Sequence, residues 1–393
     1  MNPSIQRLYT IAGKKERLIV GLMSGTSVDG LDVALCRISG SGSDTVIKLV
    51  NFETIAFSTD FKTEVRSVFS KKNVDLEKLT LLNRWIALQH ADIVNDLLKK
   101  WNIKKETIDL IASHGQTIYH APESLHGQKK FGNATLQIGD GDQLAVSTGI
   151  ITISDFRQKH IAAGGEGAPL ASYADYLLFA METENRLLLN IGGIANFTFL
   201  PSKGEGKILC TDAGPGNTLM DAYVQQQFPG KYFDENATIA KQGEVNDLLL
   251  EELKQNTFFE QPFPKTTGPE LFNLHYLQQA QEKTGTTSLS IYDTMATLTR
   301  FSAEMIATAI KTNSSADNIK IFCSGGGIHN PLLMTHLKGL IPYEFFSTDE
   351  LNIHPDAKEA VLFAVLANEC VCGTGLAVNG LINISMGKLS FPD

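Results

Sequence analysis

The sequence predicts an α/β chain folded as two related lobes. Three observations carry that expectation. Strand-like and helix-like segments alternate from end to end. The length of 393 residues exceeds one typical domain. Two glycine-bearing hairpins lie about one domain length apart, one opening at Leu18 and the other at Arg186. The first runs Leu18–Cys36 with Ser24-Gly-Thr-Ser-Val-Asp-Gly30 at its turn, and the second Arg186–Phe199 with Asn190-Ile-Gly-Gly-Ile-Ala-Asn196. Each reads strand, tight polar turn, strand, whereas the common glycine-rich phosphate loops feed directly into a helix. A hairpin that recurs in one chain points to two lobes that offer backbone N–H groups to a shared phosphate.

Strand signals open the chain at Leu18–Met23 and Leu31–Ile38, and Thr45–Thr54 extends them into a meander. A helical stretch follows over about 63–102, split near Lys71–Asn73, with Leu79, Leu82, Ile86 and Ile93 at helix spacing. Ile108–Ser113 is a short buried strand that ends in His114-Gly-Gln-Thr117. Thr135–Ile138 and Ile150–Ser154 read as strands, the second leading to Asp155-Phe-Arg157, and Gly164–Pro169 is a loop that starts a helix near Leu170. After the second hairpin, Lys207–Thr211 is a strand running into Asp212-Ala-Gly-Pro-Gly-Asn217, then a helix. Residues 236–256 and 270–277 are polar, helical or loop-like. Asp293–Thr312 is a long helix, Asn318–Cys323 a strand meeting Ser324-Gly-Gly-Gly-Ile-His-Asn330, and Pro355–Cys370 the last strong helix. The lobes are expected at residues 1–160, with 375–393 packing back on them, and at 161–374.

Composition narrows the function. Hydrophobic residues at 43% and charged residues at 20% are ordinary for a soluble globular protein. A net charge of -9 argues against a nucleic-acid partner, so an anionic ligand must be held locally by N–H groups, a few cations or Mg²⁺. Five scattered cysteines imply a reduced compartment. The N-terminal stretch has no apolar core of a signal peptide, and no run is fit to span a bilayer. A cytoplasmic protein without membrane contact is expected.

Ser24, Thr26 and Ser27 offer hydroxyls, and Gly25 flexible backbone, to a phosphate. Asp29 and Asp32 would be repelled by it unless a divalent cation lies between. A tight hairpin needing glycine explains the same residues without a ligand. The triple glycine Gly325–Gly327, between strand and helix, suits a flat ring approaching the backbone. A dehydrogenase is disfavoured because these glycines fall late and too close together, and a P-loop motif is absent. Asp212 stands at a strand end, where ligands gather, and a carboxylate there can take a proton from a nucleophile. Asn217 is the better candidate to cap the next helix. Arg157 could clamp a carboxylate, against a plain surface ion pair. Glu359 in a first helical turn suits the helix dipole, with a substrate contact as the minority reading. His114 and His120 have no third ligand at metal spacing.

Together these motifs resemble the anhydro-N-acetylmuramic acid kinase family. The resemblance rests on Gly21–Asp32, Ser113-His-Gly-Gln-Thr-Ile-Tyr-His120, Gln137-Ile-Gly-Asp140, Asp155-Phe-Arg157 and Ala163–Leu170. It continues through Asn190–Asn196, Asp212–Asn217, Lys265-Thr-Thr-Gly268, Ser324–Gly327 and Glu359-Ala360, covering nearly the whole chain in family order. The resemblance implies the two-lobed actin-like fold of hexokinases and heat-shock chaperone ATPases, with a nucleotide cleft between lobes. It implies conversion of 1,6-anhydro-N-acetylmuramic acid, ATP and water to N-acetylmuramic acid 6-phosphate and ADP, in peptidoglycan recycling. Asp212 then matches the catalytic base. Gly25, Thr26, Ser27, Val28, Asp29, Gly30 and Asp32 face the ATP phosphates, with Asp29 holding Mg²⁺ through water. Gly192, Gly193 and Asn196 form a second phosphate contact, and Gly325, Gly326, Gly327 and Asn330 lie by the adenosine. Arg157, Glu359, His114 and Gln116 match positions near the amino sugar. A homodimer is expected. The chain departs from the pattern at Pro269 for Arg, Glu166 for Gln and Ala213 for Thr.

Overall fold

The computed structural model describes residues 2–167, 170–202, 206–313, 319–351, 357–373 and 382–393. The chain divides into two compact units, Met1–Leu178 with Asp356–Asp393, and Phe179–Pro355.

The first unit is built on a mixed sheet. Its strands are β1 (Glu16–Ser24), β2 (Gly30–Ser39), β3 (Val46–Ala56), β4 (Leu110–Ala121), β5 (Ala134–Ile138) and β6 (Thr152–Ser154). The second unit contributes β7 (Asn185–Ile191), β8 (Ile194–Leu200), β9 (Leu209–Pro215), β10 (Ile319–Ser324) and β11 (Glu344–Ser347), and β12 (Lys388–Ser390) returns to the first. The order in the first sheet is β12-β6-β4-β1-β2-β3 with β5 beside β4, and in the second β11-β10-β7-β8-β9. In each unit three consecutive strands form an antiparallel meander, and two later strands add in parallel beside its first strand. The same five-strand order therefore occurs twice. This is the actin-like α/β topology, and it gives the two hairpins equivalent places.

Each unit has its own apolar core. In the first, alternating residues of β1 and β2 (Val20, Leu22, Leu31, Val33, Leu35) meet Leu82, Ile86, Val94 and Leu97 of the helix Leu76–Lys100. Fully burying each such side chain is worth about 1.5–3 kcal/mol. The opposite face of β1 takes the helix Lys358–Cys372. That approach is so close that a Cβ on Gly21 would lie 1.9 Å from the Ala360 carbonyl oxygen. In the second unit Leu187, Leu189, Phe197, Leu298, Phe301 and Ile321 join the helix Ile291–Asn313 to the sheet.

Several boundaries differ from the sequence expectation. The units change over after Leu178 and Pro355 rather than after 160 and 374. The helix Lys358–Cys372 belongs to the first unit because its apolar face is spent on β1. The short strand foreseen at Ile108–Ser113 runs on to Ala121, since pairing with β5 from Gln116 to Ala121 carries it through the glycine. Asp212 lies inside β9, not beyond its end. Ala168 and Pro169 of the foreseen Gly164–Pro169 loop, and residues 375–381 of the foreseen returning tail, lie outside the described residues. Among the described residues no helix is long and apolar enough to cross a membrane.

Candidate active site

In the first unit, β1, β4 and β6 are parallel, and the carboxyl ends of β1 and β6, at Ser24 and Ser154, stand beside Gln116 and Ser113 of β4 at one edge. Ligands gather at such edges. The turn after β1 closes by the Val28 N–H donating to the Gly25 carbonyl at 3.3 Å, and the Phe57 N–H donates to the Asp29 carbonyl at 2.9 Å. The left-handed residue is Val28, with φ 58°, and not Gly25. A β-branched residue there is a true outlier, costing about 1–3 kcal/mol. It is held because the side chain is buried in the core with Phe57 and Phe61. Gly25 has an ordinary φ, and a Cβ on it would meet nothing nearer than the Ser27 Oγ at 3.7 Å. The fold leaves Gly25 open, and Thr26, Ser27 and Asp29 are exposed beside it. Gly30, in contrast, is required by packing, since a Cβ would lie 2.7 Å from the Ile55 carbonyl oxygen.

Gln116 and His114, expected near the amino sugar, are both buried and bonded into the fold. Gln116 is fully enclosed; its Oε1 accepts from Ser24 Oγ at 2.5 Å and its Nε2 donates to the Gly25 carbonyl at 3.2 Å. His114 lies under the sheet edge with its Nδ1 2.9 Å from the Gly115 carbonyl oxygen, so the proton sits on Nδ1. Its Nε2 then accepts from Arg157 Nε at 3.0 Å. Burial, with the Arg157 charge adding to it, pushes the His114 pKa down to about 3, so the ring is neutral.

Arg157 is fixed a second time, by Nη1 donating to the Gly167 carbonyl at 2.8 Å. Burial lowers its pKa and the Glu359 carboxylate opposes that. Glu359 stays reachable by solvent, yet protein crowds it enough to raise its pKa. Lys358 opposes the rise, Asp32 adds to it, and Arg157 opposes it. Asp32 accepts a hydrogen bond from Thr54 Oγ1 at 2.5 Å. Arg157, Glu359 and Asp32, far apart in sequence, thus form one electrostatic neighbourhood. His120 and Glu166 join it through Arg157 and each other.

In the second unit the Gly192–Gly193 turn is stitched to the start of the helix Thr218–Gln227. The Asn217 N–H donates to the Gly192 carbonyl at 2.8 Å, and the Gly216 and Thr218 N–H groups to the Gly193 carbonyl at 2.8 and 3.0 Å. Among the described residues the N–H groups of Gly192 and Gly193 find no backbone acceptor. A Cβ would fit on either, at 3.6 Å or more from its nearest neighbour. Asn217 is not the side-chain cap expected of it, because its Nδ2 donates to the Ile191 carbonyl instead.

Asp212, Asn196, Asn190 and Ser324 stand opposite one another across β9, β8, β7 and β10. Pairing jumps from Ala195–Gly214 to Asn196–Asp212, which leaves Ala213 in a bulge beside the aspartate. Bulges of this kind re-aim neighbouring side chains. The Lys265–Gly268 segment braces Asp212. The Thr267 N–H donates to Asp212 Oδ2 at 2.8 Å, and the Asp212 N–H to the Lys265 carbonyl at 3.0 Å. Lys265 is itself buried, with Nζ donating to the Phe258 and Phe259 carbonyls. Burial raises the Asp212 pKa, the Thr267 N–H opposes it, and the Glu270 carboxylate adds to it. A half-buried, oriented carboxylate with raised proton affinity can serve as a general base.

Beside the triple glycine lies a cavity of about 400 Å³, lined by Asn217, Met220, Asp221, Phe233, Gly326 and Asn330 among others. Gly325 (φ 85°) and Gly327 are demanded by packing, since Cβ atoms there would lie 2.6 Å from Asn190 Oδ1 and 2.3 Å from Ile191 Cγ2. Gly326 is open, with nothing nearer than 3.9 Å. Asn330 caps the helix Pro331–Leu340 through Oδ1, which accepts from the Leu333 N–H at 3.0 Å. Sequence reasoning missed Met220, Asp221 and Phe233. The signal was present in part: Asn217, Met220 and Asp221 fall at i, i+3 and i+4, one helix face.

A sequence profile described as anhydro-N-acetylmuramic acid kinase matches residues 17–379. The chain is 56% identical over 401 aligned residues to the "Anhydro-N-acetylmuramic acid kinase" of Pseudoalteromonas atlantica, covering all of both chains. The chain belongs to the anhydro-N-acetylmuramic acid kinase family. The expected family and a phosphotransferase activity are thereby borne out. A more distant member, from Caldanaerobacter subterraneus, is 37% identical over 98% of this chain and all of its own. Among solved structures, the ADPNP-bound activator of 2-hydroxyisocaproyl-CoA dehydratase from Clostridium difficile is similar at TM-score 0.37 and 14% identity, covering 90% of this chain and 95% of that one. A ROK family glucokinase from Streptomyces griseus is similar at TM-score 0.35 and 8% identity, covering 89% and 98%.

Proposed function

We propose that the chain is an ATP-dependent kinase that opens the 1,6-anhydro ring of 1,6-anhydro-N-acetylmuramic acid with water and phosphorylates the freed 6-oxygen. The observation that carries this reading is Asp212, held on a bulge by the Thr267 N–H with its proton affinity raised. Asp212 takes a proton from a water that attacks the anomeric carbon. The bond from that carbon to the bridging 6-oxygen breaks, and this oxygen bonds to the γ-phosphorus as the bond to ADP breaks. An ordinary glycosidase needs a general acid for the leaving oxygen; here the phosphoryl group takes that place.

The first unit supplies the open turn at Gly25–Asp29, and the second the unpaired N–H groups of Gly192 and Gly193. Both suit phosphate oxygens. Asp29, exposed at the turn, and Asp32 fit a magnesium ion, which is usually held by one or two carboxylates together with substrate phosphates and water. Such an ion would neutralise charge on the phosphates. Among the described residues no group of three or more potential side-chain ligands gathers for a metal, which agrees with a shared rather than a caged ion. In this reading Arg157 and Glu359, which are electrostatically coupled, contact the amino sugar. A cytoplasmic homodimer active in peptidoglycan recycling belongs to the same proposal.

Asp212→Asn is the test. It should cut turnover at least 10²–10⁴-fold, the usual worth of a general base, while ADP binding survives. Near-normal turnover by that variant would refute the assignment. Incubation in ¹⁸O-water should place solvent oxygen on the anomeric carbon. A plain kinase acting on a free hydroxyl would not.

A further inference from the structure

The cavity beside Gly326 has more polar groups than free ones. Asn217 Nδ2 donates to the Ile191 carbonyl. Asn330 Oδ1 accepts from the Leu333 N–H. The Asp234 carboxylate accepts from the Ile239 and Ala240 N–H groups, both at 2.9 Å, and from Thr238 Oγ1. Glu235, Asn236 and His329 stand at the exposed margin. Asp221 is the exception: half-buried, in the first turns of the helix Thr218–Gln227, with no hydrogen bond or ion pair among the described residues.

A carboxylate withdrawn from water without donors is costly. Burial accordingly raises its pKa to about 6. Its charge repels phosphate, so this part of the cavity takes a neutral group that donates hydrogen bonds. A vicinal diol donates two, one to each carboxylate oxygen, whereas an exocyclic amine on a base meets only one. Met220 and Phe233, the latter 58% exposed, leave apolar surface in the same cavity for a flat ring.

We propose that Asp221 is a specificity-determining residue of the nucleotide site, accepting hydrogen bonds from the 2′- and 3′-hydroxyls of the ribose. The inference rests on the kinase reading above and extends it to nucleotide choice. Asp221→Asn keeps the shape of the side chain and removes its charge, and Asp221→Ala removes both.

Calorimetric titration of the full chain with ADP, 2′-deoxy-ADP, 3′-deoxy-ADP and IDP tests it. The wild-type protein should prefer ADP to each deoxy analogue by on the order of 10–100-fold, the usual worth of hydrogen bonds to a charged group. IDP should bind like ADP. In Asp221→Asn and Asp221→Ala the affinity for ADP should fall toward that for the deoxy analogues, which themselves change little. Equal weakening of all four ligands would overturn the role of Asp221, as would a preference lost only between ADP and IDP. A wild-type chain that binds none of them would overturn the kinase reading itself, and this inference with it.

Discussion

His90 makes the first unit acid-sensitive in a way that can be calculated. It lies on the helix Leu76–Lys100, 1% exposed, stacked beside Phe57 and Phe61 at centroid distances of 6.1 and 6.4 Å. Among the described residues neither ring nitrogen has a partner, and burial pushes its pKa down to about 4. The folded form therefore holds fewer protons than the unfolded chain, whose histidines titrate near 6.5. Stability is full above that value and falls as pH drops, until the folded group itself protonates. Between pH 7.5 and 5 this one ring should remove about 2 kcal/mol, a figure that depends little on the folded pKa while it stays below 5. His114, at about 3, adds a similar loss. His90→Phe replaces the imidazole with a ring that suits the stack and does not titrate. Urea denaturation followed by tryptophan fluorescence reads the first unit alone, because the chain's two tryptophans, Trp85 and Trp101, both lie there. The variant should lose about 2 kcal/mol less than the wild type between those pH values. An unchanged pH dependence would refute the reasoning. Phe57 also holds the Asp29 carbonyl, in the turn after β1.

Other expectations follow from the site. Gly326→Ala should fold normally and weaken ADP binding. Gly327→Ala, which collides with Ile191, should lower the thermal midpoint; thermal melts with and without ADP separate the two. Glu359→Gln should raise KM for the anhydro sugar and leave KM for ATP nearly unchanged, as steady-state kinetics would show. Asp212→Asn, described above, should lose turnover and keep nucleotide binding.

The two hairpins, the meander and the alternation of strands and helices were readable because strand patterning and turn chemistry are local. Asp212 could be singled out in the same way, from its strand and the glycines after it. Its neighbours could not. Thr267 and Glu270 lie more than fifty positions away in sequence and reach it only through a loop that returns to β9. Gln116 and His114 looked like polar residues of a binding motif. Their burial beneath the turn after β1 shows only once β4 is paired on both sides. Glycine identity was equally ambiguous. Gly325, Gly326 and Gly327 are alike as letters, yet two satisfy packing and one leaves space.

By itself the sequence determined the α/β class, the repeated hairpin and the family, because periodicity, turn residues and motif order are written along the chain. The tertiary structure alone decided which of these residues are exposed and which are braced. It placed the strain of the first turn on Val28, brought Arg157, Glu359 and Asp32 together, and left Asp221 half-buried without a donor among the described residues. The physical reason is that burial and electrostatic pairing depend on neighbours in space, which long-range strand order sets and local sequence does not.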